Sequence, residues 1–336
     1  MFKMIARSFF LVFVSILLAA DFSFAQPPSS RDQTQPQQQP PENENNRKRQ
    51  QKVRTVTIPI SIFSEEELKK QIPQEFIEAG NIIVKEDGEQ QTILSIRSIS
   101  EAPLALAVLV QDDVSSSVNL QLRRLADFIR RLPKGSRVLV AYLRAGSIQV
   151  RQKFTDDLEK AADSLRIIAS VPSVAPSSPY QSVEEALGRF DALPVGRRAI
   201  LLISDGLDAS RGLDDSSPAG SLDLERAITK AQRKSVAIYS FYASASLTER
   251  ANTTLILNAQ GSLQKLSEET GGRAFFQGLT TPVNYEPFFR DVTMALNRQF
   301  VLTYLSTHMK KGYHKVDVTS TNPEIKIQHP RGYYYR

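Results

Sequence analysis

Two apolar runs of strand length, far apart in the chain, constrain the fold more than any other feature: Leu104-Ala-Leu-Ala-Val-Leu-Val-Gln-Asp-Asp113-Val-Ser115-Ser-Ser117 and Arg198-Ala-Ile-Leu-Leu-Ile-Ser-Asp205-Gly206. Each stops abruptly at acid and hydroxyl residues. A run that is apolar throughout, without alternation, suits a strand buried on both faces of a parallel α/β sheet, whose carboxyl edge is where such sheets deliver functional groups. The groups delivered here, Asp113, Ser115, Ser117 and Asp205, are all oxygen donors. Carboxylates, hydroxyls and retained water are what a hard cation such as magnesium prefers, and an ion with few charged direct ligands stays electrophilic toward an incoming carboxylate. Such chemistry points to metal-mediated binding rather than turnover.

Around these runs the pattern alternates between strands and helices. Val118, Leu122, Leu125, Ile129 and Leu132 recur at helical spacing, and Pro133-Lys-Gly135 ends that helix before a strand at Arg137 to Leu143. A strand at Ile148 to Phe154 comes next, then a helix from Asp156 to about Ile168, a loop to Pro179 and a helix near Gln181 to Leu193. Beyond the strand Ala199 to Ser204, the pattern predicts a helix at Leu222 to Lys234, a strand at Val236 to Tyr242, and helices at Leu263 to Thr270 and Tyr285 to Arg298. That order fits an α/β fold with a doubly wound, mostly parallel sheet and one hairpin edge, spanning 101–298.

The flanks are different. Val53 to Phe63 alternates apolar and polar residues, and two strand-like runs surround the hairpin signal Asp87-Gly88. Short β-rich segments return at Gln299 to Ser306, Tyr313 to Thr319 and Ile325 to Gln328. Neither set has enough strands to bury a face alone, so 53–100 is expected to pair with 299–336 in a smaller β domain.

Ahead of them, Lys3 and Arg7 precede an apolar stretch, Ser8 to Ala20, and Ser23-Phe24-Ala25 offers a small-x-small cleavage site. Residues 1–25 therefore read as a secretory signal, with no other segment able to span a membrane once it is cleaved. Residues 26–52, rich in Pro, Gln, Asn and Arg, lack the apolar surface to fold and read as a disordered linker. These two segments together imply export, to the periplasm or beyond. With no cysteine, thiol nucleophiles and thiolate metal sites are excluded, and stability must come from packing. The formal charge of +6 includes Arg123, Arg124, Arg130 and Arg131. No aromatic residues interleave with them, so they read as solvated surface rather than a nucleic-acid site.

Taken together, Val108 to Ser117, Ile203-Ser-Asp205-Gly206 and Leu263-Gln-Lys-Leu-Ser-Glu-Glu-Thr270-Gly-Gly272-Arg-Ala-Phe resemble the von Willebrand factor type A (VWFA) domain and its metal-ion-dependent adhesion site. The flanks, including Ile83-Val-Lys-Glu-Asp-Gly88 and Gln299-Phe-Val-Leu-Thr-Tyr304, resemble those of a bacterial secreted VWFA-related family first defined in acidobacteria. That resemblance implies that Ser115 and Ser117 ligate the ion, Mg2+ or Mn2+, through hydroxyls, while Asp113 and Asp205 hold it chiefly through water or one oxygen. A Thr usual at the fifth position is missing; Ser178 is the best substitute and Ser177 the next. Ser116 stands where the family usually has Gly, and Asp112 adds a carboxylate. The implied partner is a protein supplying an Asp or Glu carboxylate.

Blander readings exist for the same residues. Asp113 with Ser115 would equally cap the following helix, and Asp205-Gly206 would equally form a plain turn. Asp208, Asp214 and Asp215 read as solvated turn residues of the long loop after Asp205. All three histidines, His308, His314 and His329, fall in the carboxy-terminal flank, which argues against a histidine base at the metal edge. The alternatives to a non-enzymatic adhesion module are a metal-free envelope scaffold and a magnesium-dependent phosphotransfer enzyme using Asp113.

Overall fold

The computed structural model describes residues 52–64, 82–99, 102–171, 177–194, 196–213, 216–249 and 253–335. The expected signal peptide and the linker up to residue 51 lie outside them. Among the described residues no helix is long and apolar enough to cross a membrane.

Strand β4 (Leu104–Gln111) is the middle of the α/β layer. It lies parallel to β5 (Arg137–Arg144) on one side and to β7 (Arg197–Ser204) on the other. Then β8 (Ala237–Tyr242) and β9 (Ala274–Phe275) extend the sheet in parallel, while β6 (Ser147–Thr155) closes the other edge as the antiparallel hairpin partner of β5. The order β6-β5-β4-β7-β8-β9 is doubly wound. Because strand side chains alternate, Leu106, Val108 and Val110 enter one core with Leu125, Phe128 and Ile129 of α1 (Leu122–Arg130), and Ala107 and Leu109 enter the other. That second core is closed by Val183 of α3 (Pro179–Gly188) and Leu224 and Ile228 of α4 (Leu222–Lys234). Both faces of β4 are therefore dry, which is why its sequence is continuously apolar.

The flanking strands do pair with one another. In a seven-stranded antiparallel sheet, β1 (Arg54–Ser64) lies between β12 (Ile325–Gln328) and β10 (Gln299–Ser306); next come β3 (Glu89–Ser98), β2 (Ile82–Glu86), β11 (Gly312–Ser320) and β13 (Gly332–Tyr335). The turn between β2 and β3 is the expected Asp87-Gly88, both residues at positive φ, 49° and 89°, as a tight hairpin turn requires. Both sheets fall in one compact unit, Gln51–Arg336. Phe63 at the end of β1 joins the α/β core, and Ser61 Oγ donates to Ala295 O at 3.3 Å in α7 (Glu286–Asn297).

Several expected elements are corrected. The helix from Asp156 to about Ile168 is only α2, Leu158–Asp163. Tyr142 Oη takes up both the N–H and the carbonyl of Arg166, at 2.7 and 2.8 Å, and Asn119 does the same for Ile168, so these groups are lost to a helical ladder. Conversely, the helix expected at Leu263 begins ten residues earlier, as α6, Thr253–Glu269, with the short α5, Ser246–Glu249, ahead of it. Pro218 packs on Gly261 of α6, where a Cβ would lie 3.1 Å from Pro218 Cγ. Strand β9, of two residues, is too short to be recognised from its pattern.

One buried cation joins the two sheets. Arg197, at the start of β7 and 3% exposed, donates to Ala102 O at 2.8 Å ahead of β4, to Leu296 O near the end of α7, and to Gln299 Oε1 at 3.0 Å at the start of β10. Arg197→Ala should strand these acceptors in a dry site and cost about 3 kcal/mol or more, at roughly 1 to 3 per buried unsatisfied group. Urea unfolding of the full chain measures this; an unchanged midpoint would show that the guanidinium is dispensable.

Candidate functional site

The carboxyl ends of β4 and β7 are neighbours, with Val110 opposite Ile203. One side chain fastens the two loops that leave them. Gln111 donates through Nε2 to Asp113 Oδ1 at 2.9 Å, and its Oε1 accepts from the Ser204 hydroxyl and from the Asp205 N–H at 3.2 Å. Gln111 was not singled out from the sequence, although its place as the last residue of an apolar run was a usable signal.

Beyond that clamp, Ser117 Oγ donates to Ser115 Oγ at 3.1 Å, so the two hydroxyls of the Asp-x-Ser-x-Ser segment face each other. The segment is held to the next loop by Ser115 N–H donating to Ser244 O at 2.7 Å. Asp205 is buried, and Leu207 N–H donates to its Oδ1 at 3.1 Å. Gly206 is required here: its φ is +72°, and a Cβ would lie 2.5 Å from Leu263 Cγ and 2.6 Å from Ala259 O. Burial, reinforced by the charge of Asp113, pushes the Asp205 carboxyl up to about 7 despite the hydrogen bonds from Leu207 and Gln111.

Ser178 reaches the same edge from another loop. It is fully buried and caps α3, its Oγ accepting from Tyr180 N–H at 3.3 Å, a long bond that leaves a lone pair over. The neighbouring Ser177 O accepts from Ala209 N–H at 3.1 Å, and Tyr180 Oη donates to Gly206 O at 2.7 Å, so this loop is laced to the one after Asp205. Asp113, Ser115, Ser117, Ser178 and Asp205 thus lie on adjoining loops at one sheet edge. An all-oxygen donor set suits a hard divalent cation, and the disfavoured charge of buried Asp205, to which Asp113 contributes, is what a bound cation would relieve.

Two acids behave differently from expectation. Asp112 does not add to that set: it accepts from Arg166 Nη1 and Nη2 at 2.8 and 3.0 Å and from Arg144 Nη1 at 3.4 Å. Burial alone would raise its pKa; the bonds and charge of Arg166 outweigh that and hold it below the ordinary value. Asp208, expected to be a solvated turn residue, is buried and accepts from Ser210 Oγ at 2.7 Å and from the hydroxyl of Ser221, because the loop folds back onto the cap of α4. Residues 214 and 215 lie outside the described residues.

A second cluster was missed altogether. Ligand atoms of Glu86, Asp87 and His308 lie within 4.8 Å of one another in the antiparallel sheet, two carboxylates and an imidazole that can take a divalent metal. Glu86 is fully buried, and its Oε2 and His308 Nδ1 have no hydrogen-bond partner. Against a second cation stands the guanidinium already there: Arg54 Nη2 lies 3.3 Å from Glu86 Oε1, which also accepts from Ser306 Oγ at 2.9 Å and Tyr333 Oη at 2.7 Å. A span of some 220 residues separates the members, so no local motif announced them.

The strand order defines a doubly wound α/β layer with the Asp113 to Ser117 loop at its carboxyl edge. No family model matches the chain, and neither does any curated protein. Among solved structures, the conserved hypothetical protein BatB from Bacteroides thetaiotaomicron is 14% identical with a TM-score of 0.41, covering 57% of this chain and 97% of its own. The von Willebrand factor type A structure from Catenulispora acidiphila is 11% identical at a TM-score of 0.41, covering 83% of this chain and 72% of that one. An aerotolerance-related membrane protein from Bacteroides fragilis is 10% identical at 0.40, covering 58% and 98%.

With the Asp205 carboxyl at about 7 in the folded chain and near 3.8 when unfolded, the metal-free native state holds a proton that the unfolded chain releases in between. Its contribution to stability is present below about pH 4 and lost as pH rises through about 7. Urea unfolding in chelator should therefore show wild type losing a few kcal/mol relative to Asp205→Asn between pH 4 and 8, at about 1.4 kcal/mol per unit of pKa difference. Parallel pH curves for the two proteins would contradict it.

Proposed function

We propose that the chain is an exported, metal-ion-dependent protein-binding module. A Mg2+ or Mn2+ ion held by Asp113, Ser115, Ser117, Ser178 and Asp205 would act as a Lewis acid toward an Asp or Glu carboxylate of a protein partner. The observation that carries this reading is the Gln111 clamp, which draws Asp113 and Asp205 together closely enough for one charge to raise the pKa of the other. Like charges gathered at a sheet edge, beside paired hydroxyls, suit a cation.

The chain's own residues have separate duties. Gln111 sets the spacing of the two loops, Gly206 lets the backbone turn beneath Asp205, and Ser178 supplies a buried hydroxyl from a helix cap. Binding is favoured over turnover because the three histidines belong to the antiparallel flank: His314 is in β11, His308 lies by Glu86, and His329 accepts from Val318 N–H at 3.2 Å. The proposed organisation is a signal peptide at 1–25, a linker at 26–52, a flank at 53–100 that pairs with 299–336, and a VWFA-like domain at 101–298. Placement in the secreted acidobacterial-type family is part of this proposal.

Calorimetric titration of the full chain tests it. Mg2+ and Mn2+ should bind, and Ca2+, which favours more ligands and longer bonds, should bind less well. Asp113→Ala should abolish uptake with the fold intact, since the residue lies past the end of β4. Ser178→Ala should weaken uptake less, while also costing about 1 kcal/mol of stability through the lost cap. Uptake that survives Asp113→Ala but not His308→Ala would move the metal to the Glu86 cluster, and phosphatase activity lost with Asp113 would favour the phosphotransfer alternative.

A further inference from the structure

The exposed apolar side chains are not scattered. Among the described residues the three most exposed large hydrophobics are Val283 at 87%, Leu120 at 74% and Ile167 at 73%; the next, Leu257, is at 54%. Leu120 lies in the 3-10 turn Ser116–Gln121, which carries Ser117 and directly follows Ser115. The residues on either side of Leu120 tie the other two to it. Asn119 Oδ1 accepts from Ile168 N–H at 2.9 Å, and Asn119 Nδ2 donates to Ile168 O at 3.4 Å, which places Ile167 beside the turn. On the other side Gln121 Nε2 donates to Val283 O at 2.7 Å, and Gln121 Oε1 accepts from Tyr285 N–H at 3.3 Å.

Three separate segments therefore each raise an aliphatic side chain into water around the one turn that bears the proposed cation ligands. Single exposed hydrophobics need no explanation, but three on segments bonded to one turn are the kind of set that marks an interaction surface. At the same edge Arg166 and Arg144 hold Asp112 and remain partly exposed, but with Asp113 and Asp205 counted there is no cationic excess, so attraction of an anionic group falls to the proposed cation.

We propose that the partner presents its acidic residue between large apolar side chains, which pack on Leu120, Ile167 and Val283 while the carboxylate meets the cation. This rests on the metal-dependent reading above and adds a specificity to it: an Asp or Glu with polar neighbours is a poor ligand. Apolar contacts around a central charged anchor exclude water from it and so strengthen the anchor's own interaction.

The test uses random peptides displayed for selection on the full chain in magnesium, eluted with chelator, and then measured singly against three proteins: wild type, Asp113→Ala, and the combined Leu120→Ser, Ile167→Ser, Val283→Ser variant. The three serines replace exposed side chains, so magnesium affinity serves as the control for fold and site. The expected result is a set of peptides with one acid flanked by large apolar residues. They should bind the serine variant at least tenfold more weakly at unchanged magnesium affinity, and bind Asp113→Ala not at all. Chelator-sensitive peptides with polar flanks, or equal affinity for wild type and the serine variant, would overturn this proposal and leave the cation reading standing. Binding indifferent to chelator but lost in the serine variant would sink the cation reading and, with it, the coupling proposed here. Failure to select any acidic peptide also overturns it. Sedimentation of the chain alone covers the remaining occupant: a wild-type dimer that the serine variant dissolves would make a second copy the partner and overturn the proposal.

Discussion

A buried guanidinium stands where the chain crosses between its two sheets. The polypeptide leaves the antiparallel flank ahead of β4 and returns to it after α7, and Arg197 binds a carbonyl at each crossing together with the side chain of Gln299. Burial lowers its pKa, with Tyr239 acting in the opposite sense. A planar, many-donor group is suited to this position: it satisfies several backbone carbonyls that no secondary structure reaches, which a lysine's compact ammonium would do less well. That junction ties the antiparallel sheet to the α/β layer, together with Phe63 in the α/β core and the Ser61 bond to Ala295.

The candidate site depends on the same layer through a different device. Parallel strands β4 and β7 end side by side, so the loop leaving each is delivered to one edge, and Gln111 converts that adjacency into a defined spacing. The edge is electrostatically uneven. Burial and the charge of Asp113 disfavour ionisation of Asp205, whereas Asp112, next to Asp113 in sequence, points to Arg166 and Arg144 and stays ionised. Two adjacent aspartates thus take opposite roles, one in the site and one in an ion pair that holds the loop beside it. Arg166 also stacks over Tyr142, its guanidinium carbon 4.1 Å from the ring centroid, which fixes the loop carrying Ile167.

Much of the architecture was legible in the residues. The helix Leu222–Lys234 and the strand Gln299–Ser306 lie at the bounds that periodicity and turn signals mark, and the pairing of the flanks was implied by their being too few to bury a face separately. Failures cluster where tertiary partners override local pattern. The stretch after Asp163 has helical composition, but the hydroxyl of Tyr142 and the amide of Asn119 take its backbone groups. Asp208 has the look of a solvated turn residue until Ser221 closes over it. The cluster of Glu86, Asp87 and His308 is spread from a hairpin to the carboxy-terminal strands, and spacing carries no information over such a distance.

The sequence by itself determined the features that periodicity, composition and turn chemistry express locally: an α/β layer with oxygen donors at two strand ends, β-rich flanks, and oxygen in place of sulfur throughout the chemistry. Only the tertiary structure decided which of the adjacent acids faces the site, which hydroxyl comes from a helix cap, and which aliphatic residues stand in water around the Ser115 to Gln121 turn. Strand order brings distant residues within hydrogen-bonding range, and a buried carboxylate takes its charge state from those neighbours rather than from its own sequence. Exposure, likewise, is a property of the groups that pack nearby, and at Leu120, Ile167 and Val283 nothing within the described chain covers them.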